Sequence, residues 1–246
     1  MSNLLKLKGV SGGYNVHKPV LHDLDFTVER GEIVGLIGLN GAGKSTTIKH
    51  VLGLMEPTKG DIYINNQSIH EDPELYRKTF TYIPETPILY DELTLWEHLK
   101  LTATAYRLSN NTFEERVYPL LREYRMEKMK DWFPSNFSKG MRQKVMIMCA
   151  FLVQPELYIV DEPFVGLDPV AIKSLLDMMV DMKENGAGIL MSTHILATAE
   201  RYCDRFVLLH EGKVKLHGTM EELQRQSGMP HARLDDLYIE VTKGAL

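Results

Sequence analysis

Apolar residues follow two rhythms along this chain, and the points where one gives way to the other mark its elements. From Leu4 to Val28 apolar and polar positions alternate, with a break at Gly12-Gly13, which predicts strands and turns. Glu32-Ile33-Val34-Gly35-Leu36-Ile37 is almost wholly apolar and reads as a buried strand, while Thr46 to Leu54 reads as a helix. Pro57 to Gly60 is a turn, Asp61 to Ile64 a short strand, and Phe80-Thr81-Tyr82-Ile83 another, ended by Pro84 and Pro87.

From Leu93 the helical rhythm takes over. Thr94 can cap a helix with Glu97 three positions on, and apolar residues recur at helical spacing through Tyr106. A second helix covers about Thr112 to Tyr124, so residues 88–137 read as an inserted helical subdomain. The mixed pattern then resumes: a helix from Lys139 to Val153, the strand Leu157 to Val160, a helix from Pro169 to Glu184, and the strand Ile189 to Ser192. A strand pair about Glu211-Gly212 spans Phe206 to Gly218, and a polar helix starts after Thr219. Helices separated by short apolar strands predict an α/β fold whose mainly parallel sheet carries helices on both faces. The expected division is a core over 1–87 and 138–218, the helical insertion over 88–137, and a C-terminal segment over 219–246.

Composition changes this picture little. The 246 residues carry a net charge of −5, which gives no general affinity for nucleic acid. Two cysteines form no metal set; Cys149, in an apolar helix, is expected to pack as a small hydrophobe in a reducing cytoplasm. The start shows no signal peptide, and no apolar run approaches the roughly 20 residues that cross a bilayer, so a membrane role needs a partner.

The candidate chemistry begins between the first buried strand and the helix that follows it. Gly38-Leu39-Asn40-Gly41-Ala42-Gly43-Lys44-Ser45-Thr46 fills the pattern G-x-x-x-x-G-K-[ST] without substitution, in the strand–loop–helix setting that pattern requires. Its glycines let successive N–H groups turn inward on phosphate at a helix N-terminus, whose dipole favours negative charge. Lys44 reaches the β- and γ-phosphates, and the Ser45 hydroxyl ligates Mg²⁺. The strand Leu157 to Val160 runs into Asp161-Glu162. Asp161 is placed at the carboxyl edge of the sheet to hold Mg²⁺, and Glu162 beside the γ-phosphate to polarise water.

With these motifs in this order, the chain resembles the ATPase subunit of ATP-binding-cassette (ABC) transporters over nearly its whole length. Phe137-Ser138-Lys139-Gly140-Met141 stands where that family carries the signature L-S-G-G-Q, and Gly166-Leu167-Asp168 resembles its D-loop. His194 resembles its switch histidine, and Tyr14 the aromatic that stacks on adenine. The resemblance implies a P-loop NTPase (RecA-like) core with an N-terminal antiparallel β-subdomain and an inserted helical subdomain. It further implies ATP hydrolysis with Mg²⁺, in which Ser138 and Gly140 of one copy contact the γ-phosphate held by another. A second copy of the domain and a polytopic membrane subunit are the implied partners, at the cytoplasmic face of the cell membrane.

The sequence departs from the family at three places. Glu85 stands where a Gln usually bridges Mg²⁺ or the lytic water; ionised, it still ligates metal but cannot donate a hydrogen bond, and it adds negative charge near Asp161 and Glu162. Lys139 and Met141 replace the first Gly and the Gln of the signature, leaving Ser138 and Gly140 in place. Residues 80–98 and 144–151 more closely resemble one bacterial branch of the family, which works with a separate membrane subunit and favours export. Two alternatives stand beside this reading. A soluble ABC ATPase without a transporter would usually show a long coiled coil or two cassettes, and a P-loop GTPase would show N-K-x-D; neither feature occurs.

Overall fold

In this computed structural model, residues 3–15 and 17–244 are described. The largely apolar strands belong to a six-stranded sheet. These are β3 (Ile33–Ile37), β6 (Phe80–Ile83), β7 (Leu157–Asp161) and β8 (Gly188–Thr193), joined by β9 (Arg205–His210) and β10 (Lys213–Gly218). Their spatial order is β10-β9-β3-β8-β7-β6, parallel throughout except for the β9–β10 hairpin. The alternating strands make a separate antiparallel sheet, ordered β2-β1-β4-β5, from β1 (Asn3–Gly12), β2 (Leu21–Glu29), β4 (Lys59–Ile64) and β5 (Gln67–Ser68).

The helices in chain order are α1 (Lys44–Val51), α2 (Pro73–Lys78), α3 (Leu95–Ala105), α4 (Asn110–Glu123), α5 (Lys139–Val153), α6 (Pro169–Glu184), α7 (Leu196–Tyr202), α8 (Met220–Ser227) and α9 (Leu234–Thr242). Thr94 and Glu97 form the capping box that their spacing predicts. The sequence pattern did not announce α2, α7 or α9, although Asp72 capping Pro73-Glu74 is a readable start. Helix α1 begins at Lys44, two residues before the apolar pattern suggests, because the chain enters it straight from the glycine turn.

Sheet pleating divides the core. One face of the main sheet sends Ile83, Tyr158, Val160 and Ile189 into a cluster with Leu99, Val117, Val145 and Leu175, so the inserted helices share their core with α5, α6 and the sheet. The other face packs Val34, Leu36 and Ile159 against Ile48 of α1 and against Leu5 and Val28 of the antiparallel sheet. A third cluster seats α8 and α9 on Ile37 and Leu208 through Leu223, Leu237 and Tyr238. The loop between β3 and α1 therefore has tightly packed supports on both sides.

Candidate functional site

The loop after β3 owes its shape to backbone that only glycine tolerates easily. Gly41 has φ +84° and Gly43 φ +110°. A side-chain carbon at Gly43 would lie 2.8 Å from a Leu21 methyl. The loop walls a cleft of about 510 Å³. Tyr14, Leu39, Asn40, Gly41, Gly43, Lys44, Ser45 and Thr46 line it from one side, and Glu85, Glu162 and His194 from the other. Gly38 and Ala42 complete the loop behind this lining.

Lys44 is buried, and its Nζ donates to the Gly38 carbonyl at 2.6 Å. A buried cation needs an anion as well, and Glu162 supplies one, with Oε1 3.3 Å from Lys44 Nζ. That contact lacks hydrogen-bond geometry, so the buried Oε1 keeps an open acceptor site. The other carboxylate oxygen, Oε2, is 2.8 Å from His194 Nδ1 and also accepts the His194 backbone N–H at 3.3 Å. Lys44, Glu162 and His194 thus stand in a row across the cleft.

Glu162 is held there by a left-handed backbone, φ +45°, as the chain leaves β7. Its N–H is shared between the Ser192 carbonyl and hydroxyl of β8, each at 3.2 Å. The Ser192 hydroxyl in turn donates to Asp161 Oδ1. Burial pushes the Asp161 carboxyl above the usual range, the Ser192 bond opposes that shift, and the charges of Glu162 and Glu85 reinforce it. Tyr82, whose phenol burial also drives upward, sits against the same carboxylate. Glu85 is exposed at the rim.

The donors around Ser45 are a hydroxyl and carboxylates, the hard oxygen set that suits Mg²⁺. Among the described residues no three His, Cys, Asp or Glu side chains gather as a cage. A cation here would therefore draw its remaining ligands from phosphate and water, as Mg²⁺ usually does. Tyr14, 67% exposed, presents its ring at the cleft. Lys49 Nζ donates to its hydroxyl at 3.0 Å, and that bond holds the phenol below its usual pKa.

Asp161 stands behind the lining with Gly38 and Ala42, and three further residues singled out in the sequence, Ser138, Gly140 and Asp168, lie apart from the cleft. Ser138 is exposed and caps α5, accepting the Met141 N–H at 3.2 Å. Gly140 packs so closely on Gly166 that a side-chain carbon would come 2.3 Å from the Gly166 carbonyl oxygen. Asp168 caps α6 through the Ala171 N–H at 2.9 Å and pairs with Lys144 at 3.1 Å. Together they form a second cluster, joined to the first by Gln143, which is fully buried and donates to the Pro84 carbonyl beside Glu85 at 3.0 Å.

Four supporting residues escaped the sequence reading. Ser192 and Tyr82 had a signal, as polar side chains near the ends of largely apolar strands. Gly212 and Tyr238 had none: Gly212 N–H donates to the Ala42 carbonyl at 2.9 Å, and the Tyr238 hydroxyl accepts the Leu39 N–H at 2.6 Å.

Comparison with known proteins identifies the family. Residues 21–165 match the family model described as ABC transporter. The chain is 63% identical over 241 residues, covering 98% of itself and 97% of its relative, to the ABC-type transporter ATP-binding protein EcsA of Bacillus subtilis. A solved ATP-binding subunit of an ABC transporter superposes with TM-score 0.94 at 61% identity, covering 97% of this chain and 99% of that one. A dimeric ATP-binding cassette in a post-hydrolysis state, bound to ADP and Pi, superposes with TM-score 0.79 at 25% identity, covering 88% and 98%.

Proposed function

From the premise that this chain belongs to the ABC transporter family, as an ATP-binding subunit with ATPase activity and the P-loop NTPase fold of that family, we propose that it holds one half of each of two ATP sites in a homodimer. The observation that carries this reading is the buried row Lys44–Glu162–His194 on the glycine loop.

In this scheme the loop N–H groups and Lys44 bind the β- and γ-phosphates, and Tyr14 stacks on the adenine. Ser45, Asp161 and Glu85 are the side chains that would hold Mg²⁺. When bound, Mg²⁺ offsets the negative charge on the phosphate oxygens. As Lys44 turns to the phosphates it releases Glu162 Oε1, whose open acceptor site takes the proton of the attacking water. His194 keeps the Glu162 carboxylate oriented through Oε2 and contacts the γ-phosphate. Ser138 and Gly140 of the second copy close the far side with a hydroxyl and a backbone N–H.

The membrane partner in this proposal is an EcsB-like polytopic subunit, reached through the helices within 88–137 at the cytoplasmic face, and the direction is export. Among the described residues no helix is long and apolar enough to cross a membrane. Co-purification of the chain with such a subunit from detergent-solubilised membranes tests the partner; a chain that purifies alone from those membranes counts against it.

Glu162→Gln tests the site. We expect turnover to fall by about 10²–10⁴-fold, the usual range for losing a general base, while ATP is retained and ATP-dependent dimers accumulate in light scattering. Wild-type turnover in E162Q would sink the assignment.

A further inference from the structure

We infer that Tyr238, on α9, is a positioning residue for the phosphate-binding loop, acting through the peptide that joins Gly38 to Leu39. This rests on the reading of that loop as the ATP site. The carbonyl of this peptide accepts the Lys44 ammonium at 2.6 Å, and its N–H donates to the Tyr238 hydroxyl, also at 2.6 Å. One peptide plane is therefore gripped at both edges, by the cation that binds phosphate and by the C-terminal helix.

The loop needs such a grip. A side-chain carbon at Gly41 would meet nothing within 4 Å, so packing does not hold the tip. Its flanks are fixed by hydrogen bonds: Leu39 N–H to Tyr238, Ala42 N–H to the Leu39 carbonyl at 3.1 Å, and Gly212 N–H to the Ala42 carbonyl at 2.9 Å. Tyr238 itself does not drift, being 5% exposed and packed with Ile37 and Leu208. When Lys44 leaves the Gly38 carbonyl for phosphate, the Tyr238 bond is the grip that remains on that peptide. Without it the plane rotates, and the path Lys44 follows to the phosphates changes.

The test is Tyr238→Phe in the full chain, which keeps the ring and removes the oxygen. Losing one neutral hydrogen bond of about 1 kcal/mol corresponds to roughly fivefold in affinity. We expect the KM for ATP and the Kd of a fluorescent ATP analogue to rise about fivefold, with kcat within about twofold and Tm within about 4 °C. Unchanged KM and Kd overturn the inference. So does a large fall in Tm, because a purely structural tyrosine lowers stability whether or not nucleotide binding changes. Tyr238→Leu, which also removes the ring, should lower Tm and so mark what loss of packing looks like. Lys44→Ala is the control on the underlying reading. If K44A binds ATP like wild type, the loop is not the ATP site; if K44A loses ATP but Y238F does not, only the role of Tyr238 falls.

Discussion

Around Lys44, charges are buried and paired with one another; around Ser138, the polar groups are exposed and serve mainly as helix caps. Lys44 and Glu162 are 6% and 7% exposed and partner each other, as buried charges must. Ser138 and Asp168 are exposed, and each caps the helix it starts, Asp168 also accepting from Lys144 of α5. The Ser138 hydroxyl still has a proton to give. The contrast separates a region whose charges are paired within one chain from a region that faces solvent, as the proposed half-site requires.

The comparison breaks most visibly if the outward cluster is blocked. Ser138→Arg should reduce ATPase activity by roughly 10²-fold or more, the scale of removing a transition-state donor, while leaving the ATP affinity of the monomer unchanged. Equal losses in binding and turnover would mean that Ser138 belongs to the inner pocket. Next in size is Gly212→Ala, a change behind the inner pocket. The added carbon would sit 1.7 Å from the Val20 carbonyl oxygen, at φ +70°. A cost of about 1–3 kcal/mol follows from overpacking alone. Thermal melts should show it as several degrees, with weaker ATP binding; an unchanged Tm would show that the hairpin yields.

Asp168→Ala probes the outer cluster for stability alone. Losing the α6 cap should cost about 1 kcal/mol in denaturant melts, and the exposed Lys144 pair adds little. A loss well beyond that would mean Asp168 is more than a cap. The smallest contrast is in acid sensitivity. His50 of α1 is buried, and desolvation lowers its pKa from the usual 6.5. Its folded form resists a proton that the unfolded chain accepts, so stability present above about pH 6.5 is lost as pH falls. His50→Gln removes that loss, so the Tm of H50Q minus that of wild type should rise from pH 7.5 to pH 5. A difference that stays flat removes His50 from the account.

Much of this molecule was legible in its sequence because local chemistry dictated it. The helix from Lys139 to Val153 and the helix from Pro169 to Glu184 match α5 and α6, since Ser138 and Asp168 announce their starts. The loop at Gly38–Thr46 could be read because its residues answer to a ligand rather than to distant neighbours. What stayed hidden depends on contacts remote in the chain. Helix α9 lacks a strong local signal and is defined by burying Leu234, Leu237, Tyr238 and Val241 in the cluster that holds Ile37 of β3 and Leu208 of β9. The Leu39–Tyr238 bond joins residues 199 positions apart, and no spacing rule reaches that far. The link between Lys44 and Glu162 likewise appears only once β3 and β7 lie in one sheet.

Strand order also sets a clock. The strand that launches the phosphate loop, β3, pairs with β8 and β9 and with no earlier strand in its sheet. A ribosome adding about 5–20 residues per second needs roughly 10–40 s to travel from that loop to Tyr238. Within that interval the glycine loop gains first its ladder in β8 and β9, then its hairpin brace at Gly212, and last its tyrosine. A nascent chain of this kind therefore carries the apolar strand β3 before the supports of its nucleotide site exist, so that site is completed late.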